Sequence, residues 1–232
     1  MADKKFSELT AAESSAAIAQ LLRAGSAAAG TWPVLGSGAL LTTPEAGAFE
    51  RDATNLYFTT DAGNRGYVPV RHFIRCNATR TLPNDTNLNA IFNDPANGRI
   101  TLETGTYRFE MLGIITGMSA TSGSALFNIL GAGTATVGGW MWKLMGIDNT
   151  TPGSSLDDDS QYLAVAASAV ITAVTGTALR FSAWGTFEVT AGGTLIPSVD
   201  QVTAAAAVVS IGSYFMCERM GSDAVVSVGQ WD

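Results

Sequence analysis

The stretch ITLETGTYRFEML, Ile100 to Leu112, decides how the chain is read. A polar turn at Glu103 to Gly105 feeds a run in which Tyr107, Phe109 and Met111 share one face and Arg108 and Glu110 the other. This period-two pattern marks a half-buried strand. The same design returns as IGSYFMCERMG, Ile211 to Gly221, where a glycine-bearing turn leads into adjacent aromatics. The two segments read as central strands of one β-sandwich, separated by roughly a hundred residues of other strands.

Composition agrees with an all-β reading. The 232 residues include 25 glycines, and hydrophobic residues make up 47% against 14% charged, well under the usual value of about 25% for charged residues. Short strands joined by tight turns suit such a chain better than long helices. A polypeptide this apolar, with a mean hydropathy of +0.20, needs a place to hide apolar area, and another subunit is the obvious one. The net charge of −7, with no run of Lys or Arg, excludes a duty of neutralising nucleic-acid phosphates. The opening MADKKFSELTAAESS lacks the apolar core of a signal peptide, and Leu163 to Val174 is too short to span a bilayer. The expectation is a protein made in a cytoplasm, without membrane insertion. Cys76 and Cys217 have no metal-type spacing and are too few for a disulfide scaffold. They read as reduced, buried thiols, although a first and a last strand lying side by side would make them neighbours.

Three regions follow from the order of motifs. In residues 1–30, Thr10 and Glu13 form a capping box, Ala11 to Ala24 are mostly good helix formers and Gly25 stands where a C-terminal cap belongs. The short helix predicted there presents Ile18, Leu21 and Leu22 together. About 14 residues are marginal as an isolated helix, so the segment reads either as a frayed terminus or as a docking element, with Phe6 and Leu9 as further anchors. Residues 31–66 read as an extended arm ending in a hairpin, with a turn at Asp52 to Asn55 before the β-rich run Leu56 to Thr60. Residues 67–232 read as the head domain. Its predicted strands are Tyr67–Cys76, Arg99–Leu102, Thr106–Ile115, Ser124–Leu130, Thr136–Met145, Tyr162–Thr175, Ala178–Thr190, Thr194–Thr203 and Val208–Met220, parted by glycine and asparagine turns. Ala204 to Ala207 is the one stretch with a helical alternative.

The strand GTYRFEML, with its Gly-x-Tyr-x-Phe spelling, and the closing GSYFMCERMG resemble the small jelly roll of tumour necrosis factor and the complement globular heads, in the version found in tailed-bacteriophage virion proteins. TGMSATSGSALFNILGAGTAT, FEVTAGGTLIPSV and the terminal VGQW are of the same type. GAFERDATNLYFTTDAGNRGYV looks like the arm before such heads, and MADKKFSELTAAE resembles the opening of many phage fibre and particle-associated proteins. The resemblance implies a homotrimer with one sheet of each jelly roll facing the three-fold axis. In the final strand Tyr214, Met216 and Glu218 alternate with Phe215, Cys217 and Arg219, so one face fills the core and the other meets its copies, which places Tyr214 and Met216 at the trimer interface. It further implies a virion location after assembly in a bacterial cytoplasm, other virion proteins as partners of the N-terminal segment, and host-surface glycan as a further candidate partner.

Catalytic patterns are missing. His72, in VRHFIR, is the single histidine, and one imidazole makes neither a multi-histidine metal site nor, without a G-x-S-x-G, a hydrolase triad. No phosphate-binding glycine loop occurs. Asp157 to Asp159 sit in a turn-rich segment without dedicated calcium-loop spacing and read as a solvated loop. Trp140 and Trp142 flank Met141 and fall on one side of a strand, either as core or as glycan contacts. No enzymatic activity, cofactor or metal is expected. The reading is a virion structural protein of the fibre or spike type, with a capsid decoration protein and a glycan-acting surface enzyme as the alternatives.

Overall fold

The computed structural model describes residues 39–52, 55–61, 64–92, 98–120, 124–129, 133–148, 156–164, 169–171 and 177–221. Among them every regular element is a strand. The helix expected within residues 1–30 lies outside the described residues. The chain divides into two units, Met1–Arg65 and Gly66–Asp232.

In the first unit, β1 (Phe49–Arg51) and β2 (Leu56–Asp61) form an antiparallel hairpin with Phe49 opposite Phe58 and Arg51 opposite Leu56. Its turn is held by Asp52, whose carboxylate accepts from the Asn55 backbone N–H at 2.6 Å and from the Tyr57 hydroxyl at 2.8 Å. Asp favours such turns because its side chain replaces a backbone acceptor. On the hairpin, Arg65 donates to Glu50 at 2.8 Å and to the Leu41 carbonyl at 2.6 Å; β3 (Asn64–Val68), which runs through the boundary of the two units, is the third strand of the sheet ordered β1, β2, β3.

The second unit is built on one large sheet. Its strands are β4 (Arg71–Arg75), β5 (Arg80–Thr81), β8 (Gly105–Thr116), β10 (Thr136–Asp148), β11 (Leu156–Ala164), β13 (Ala178–Ala191), β16 (Val208–Val209) and β17 (Tyr214–Gly221). From one edge the order is β11, β10, β13, β8; beyond β8 lie β17 followed by β4, and further along the same strand β16 followed by β5. A four-stranded sheet is ordered β12 (Ala169–Ile171), β9 (Ala125–Asn128), β15 (Ser198–Gln201) and β6 (Asn89–Ala90). The pair β14 (Gly193–Leu195) and β7 (Ile100–Leu102) continues the β13–β8 ribbon past a corner. The pairings nest: β4 with β17, β6 with β15, β8 with β13 and β9 with β12, all antiparallel. The sheets share one buried core, an all-β arrangement compatible with a β-sandwich.

Where the strands break, the cause is local. Pro69 divides the expected Tyr67–Cys76 run and Pro197 the Thr194–Thr203 run, since proline cannot donate to a ladder. Val208–Met220 is interrupted at Gly212, whose φ of 90° is a left-handed conformation that side chains resist. The break still satisfies its backbone: Gly212 N–H donates to Cys76 O at 2.9 Å and Cys76 N–H to Ser213 O at 2.8 Å. Ala204 to Ala207 form no helix; four residues cannot nucleate one, and the segment is tied in place by Leu82 N–H on Ala207 O at 2.7 Å. Asp157 to Asp159 lie on β11, opposite Gly146, Met145 and Leu144, and so on an edge strand and not in the expected loop.

The core face of the large sheet is aromatic. Phe109 lies within 6.2 Å of Trp140 and 5.9 Å of both Phe187 and Phe215, measured between ring centroids. Opposite Phe109 the neighbouring strand carries Gly185, where an added Cβ would stand 2.0 Å from the Met141 carbonyl oxygen and 2.8 Å from the Trp142 Cα. Only glycine lets β10 and β13 approach this closely beside the rings.

Candidate functional site

In an amphipathic strand the outward parity is normally polar. The large sheet departs from that rule. Facing away from the core, Phe73 is 58% exposed, Met141 57%, Trp184 42% and Leu112 42%. Single exposed apolar residues need no explanation, but a contiguous set does, and the registers make these contiguous. Phe73 pairs with Met216, Met216 with Glu110, Glu110 with Trp184 and Trp184 with Lys143, one line across the sheet. The next line holds Arg75, Tyr214, Leu112, Ser182 and Met145. Phe73 and Tyr214 stack across the two, with centroids 5.7 Å apart.

Several of the charges on this face are matched within the chain. Glu218 accepts from Arg71 at 3.1 Å and from Arg108 at 2.5 Å. Glu110 accepts the Tyr214 hydroxyl, and that hydrogen bond to a carboxylate holds the phenol above its ordinary value, with burial and the Glu110 charge adding to it. Between these groups lies a depression of about 400 Å³ lined by Arg108, Glu110, Trp184, Thr186, Met216 and Glu218 and by the strands beneath them. Aromatics, methionine and arginine with neutralised acids and little lysine are the composition of a protein–protein interface core. The arrangement suits burial against protein. No group of three or more His, Cys, Asp or Glu able to hold a metal occurs among the described residues.

The other candidate residues fall as follows. Tyr214 and Met216 are half-buried on the outward face, whereas Phe215 and Cys217 are sealed in the core at 0% and 1% exposure. Trp140 and Trp142 do share a side of β10, the inward one; at 3% exposure each they belong to the core, and neither ring is presented to a glycan. Phe6, Leu9, Ile18, Leu21 and Leu22 lie outside the described residues. Cys76, one residue past β4, and Cys217, on β17, are buried thiols outside any disulfide, and Cys217 stands opposite His72. Four residues of strand separate it from Cys76, about 13 Å at 3.3 Å per residue, too far for a disulfide. Burial pushes the Cys217 thiol up to about 12, which leaves it unreactive.

His72 lies on the inward parity of β4 beside Cys217, and burial lowers its pKa. Folding therefore favours the neutral ring: its contribution to stability is fully present above the unfolded value of about 6.5 and is lost as pH falls from there through the folded value. The unfolding temperature should drop between pH 7 and pH 5, and His72→Gln should flatten that drop. An unchanged pH slope in the variant would exclude this histidine as its source.

Phe73, Leu112, Met141 and Trp184 were not singled out by sequence reasoning. The available signal was parity: Trp184 falls out of step with Phe181, Ala183 and Phe187, and Phe73 out of step with Ile74. Seeing that four such residues form one surface required the strand order.

No family model matches the chain. No curated protein matches it either. Among solved structures, the chain is similar over 80% of its length to a chain of infectious bursal disease virus strain Gt, at 11% identity and a TM-score of 0.15, and to one of strain Gx, at 11% and 0.14. Similarity to a chain of the T13 particle of the same virus covers 80% at 13% identity and a TM-score of 0.12. The chain spans about half the length of these viral chains, 50%, 50% and 47% respectively.

Proposed function

We propose that this chain is a non-enzymatic structural component of a tailed-phage virion. It acts as a homotrimeric appendage of the fibre or spike type, docked by its N-terminal segment and displaying a jelly-roll head outward for contact with the host surface. The observation that carries the self-association is the outward face of the large sheet, where Phe73, Met216, Trp184 and Met141 lie together between internally matched charges. Burying that face against copies of itself removes apolar area from water at a favourable free energy of about 25 cal/mol per Å². It also leaves few charges without partners, the arrangement that makes desolvation affordable.

The jelly-roll assignment is supported by the nesting of the four antiparallel pairs, first strand with last and inward to β9 with β12, in which each hairpin-like ribbon folds over the one inside it. The hairpin β10–β11 is then an insertion between β9 and β12 that widens the large sheet beyond β13. Assignment to a phage particle rests on the sequence resemblance of GTYRFEML, GSYFMCERMG and the N-terminal segment.

Particle stoichiometry tests the role. Quantified against the major capsid protein in purified virions, a small copy number is expected for a fibre or spike. Abundance comparable to the capsid protein would assign the chain to capsid decoration, and its absence from particles would overturn the virion reading.

A further inference from the structure

The two edges of the large sheet differ in charge. At one edge β4, RHFIR, carries Arg71 and Arg75 and no acid; at the other β11, LDDDSQYLA, carries Asp157, Asp158 and Asp159 and no base. Among the described residues β4 pairs only with β17 and β11 only with β10. Among those residues, each edge therefore keeps a row of backbone groups without a strand partner.

The registers link the edges more closely than their net charges do. Arg75 pairs with Tyr214, Tyr214 with Leu112, Leu112 with Ser182, Ser182 with Met145 and Met145 with Asp158. Arg75 and Asp158 thus end one line running across the whole sheet. The pairings from β11 through β10, β13, β8 and β17 to β4 are all antiparallel, so β4 and β11 run in opposite senses.

We infer that the basic β4 edge of one copy seats against the acidic β11 edge of the next, with the register positions of Arg75 and Asp158 brought to the same height of the seam. This rests on the trimer reading and gives it a geometry. When three sheets turn their outward faces toward a common axis, each copy's β4 edge is brought to its neighbour's β11 edge. Such a contact is heterologous and closes after three copies. Rotation about an axis along the strands preserves height and sense, which brings the two ends of one register line together and keeps the strands antiparallel. Sheet twist of about 20° per strand pair turns the seam into a crossing and not a continuous ladder, so contact concentrates on a few long or charged side chains. Opposite charges at the two edges favour this join, while like edges, basic against basic or acidic against acidic, repel. The competing role for edge charges is to keep sheets from pairing at all, and the two roles predict different outcomes.

The test uses the full chain, with mass read by light scattering and folding by thermal unfolding. Arg75→Asp and Asp158→Arg should each weaken association about tenfold or more, and the combined swap Arg75→Asp with Asp158→Arg should restore it. Mild oxidation of the pair Arg75→Cys with Asp158→Cys should produce a covalent trimer, which neither single cysteine does. A wild-type trimer whose mass ignores both reversals and whose cysteine pair does not cross-link overturns the seam and leaves the trimer standing, with the edge charges acting as guards. A wild-type chain that stays single overturns the trimer and the seam together.

Discussion

Replacing Phe109 with alanine should cost about 4 kcal/mol of stability, within the roughly 3–5 kcal/mol range for emptying a packed aromatic site. Phe109 is 2% exposed and meets three rings, Trp140, Phe187 and Phe215, on three different strands. Its loss opens a cavity where β10, β13 and β17 converge on β8. Strand backbones tied by ladders on both sides cannot close over it. Domains of this size have about 5–15 kcal/mol in total, so the variant should unfold on the order of 10 °C lower. Leu112→Ala, three residues along the same strand but on the outward parity and 42% exposed, should change the stability of the single folded chain by less than about 1 kcal/mol. Equal losses at the two positions, by denaturant unfolding of chains held monomeric by Trp184→Asp, would contradict the assignment of faces on β8.

The second large effect is on assembly. Trp184→Asp should leave the fold intact and dissociate the proposed homotrimer. Trp184 lies at the centre of the outward face, between Glu110 and Lys143 in register, and borders the depression beside Met216. Centrally placed tryptophans are the commonest residues to dominate an interface, at about 2–4 kcal/mol on truncation. That corresponds to roughly 30- to 1,000-fold weaker association, and a carboxylate beside Glu110 adds repulsion. Sedimentation velocity with a circular-dichroism control should report single copies with an unchanged spectrum. A variant of wild-type mass would remove this face from the interface.

These two expectations divide by what the sequence made legible. Alternation of Tyr107, Phe109 and Met111 with Arg108 and Glu110 is a local property, and so are the two faces of Tyr214 to Arg219; both were readable because a strand's side chains repeat every two residues whatever its neighbours are. The hairpin at Phe49 to Asp61 was readable for a similar reason, since an aspartate-led turn and its flanking runs lie within a dozen residues. Strand breaks at Pro197 and Gly212 were less legible, because a continuous β-rich run hides the point at which it changes sheet or bulges. Trp140 and Trp142 show the limit of parity: it places both on one side of β10 but does not say which side is inward. That is decided by pairing with β13, which puts Trp140 opposite Phe187 and Trp142 opposite Gly185. Asp157 to Asp159 read as loop because they sit in a turn-rich segment; pairing with β10 outweighs that context. The outward face belongs to no single segment, being assembled from β4, β8, β10, β13 and β17, so it exists only at the level of topology.

The most direct test of self-association through the outward face is the molar mass of the wild-type chain, measured by light scattering across a concentration series around one micromolar. Three times the 24.1 kDa mass of the chain, retained on dilution and lost in Trp184→Asp, is the predicted result. A monodisperse single copy throughout the series would contradict it.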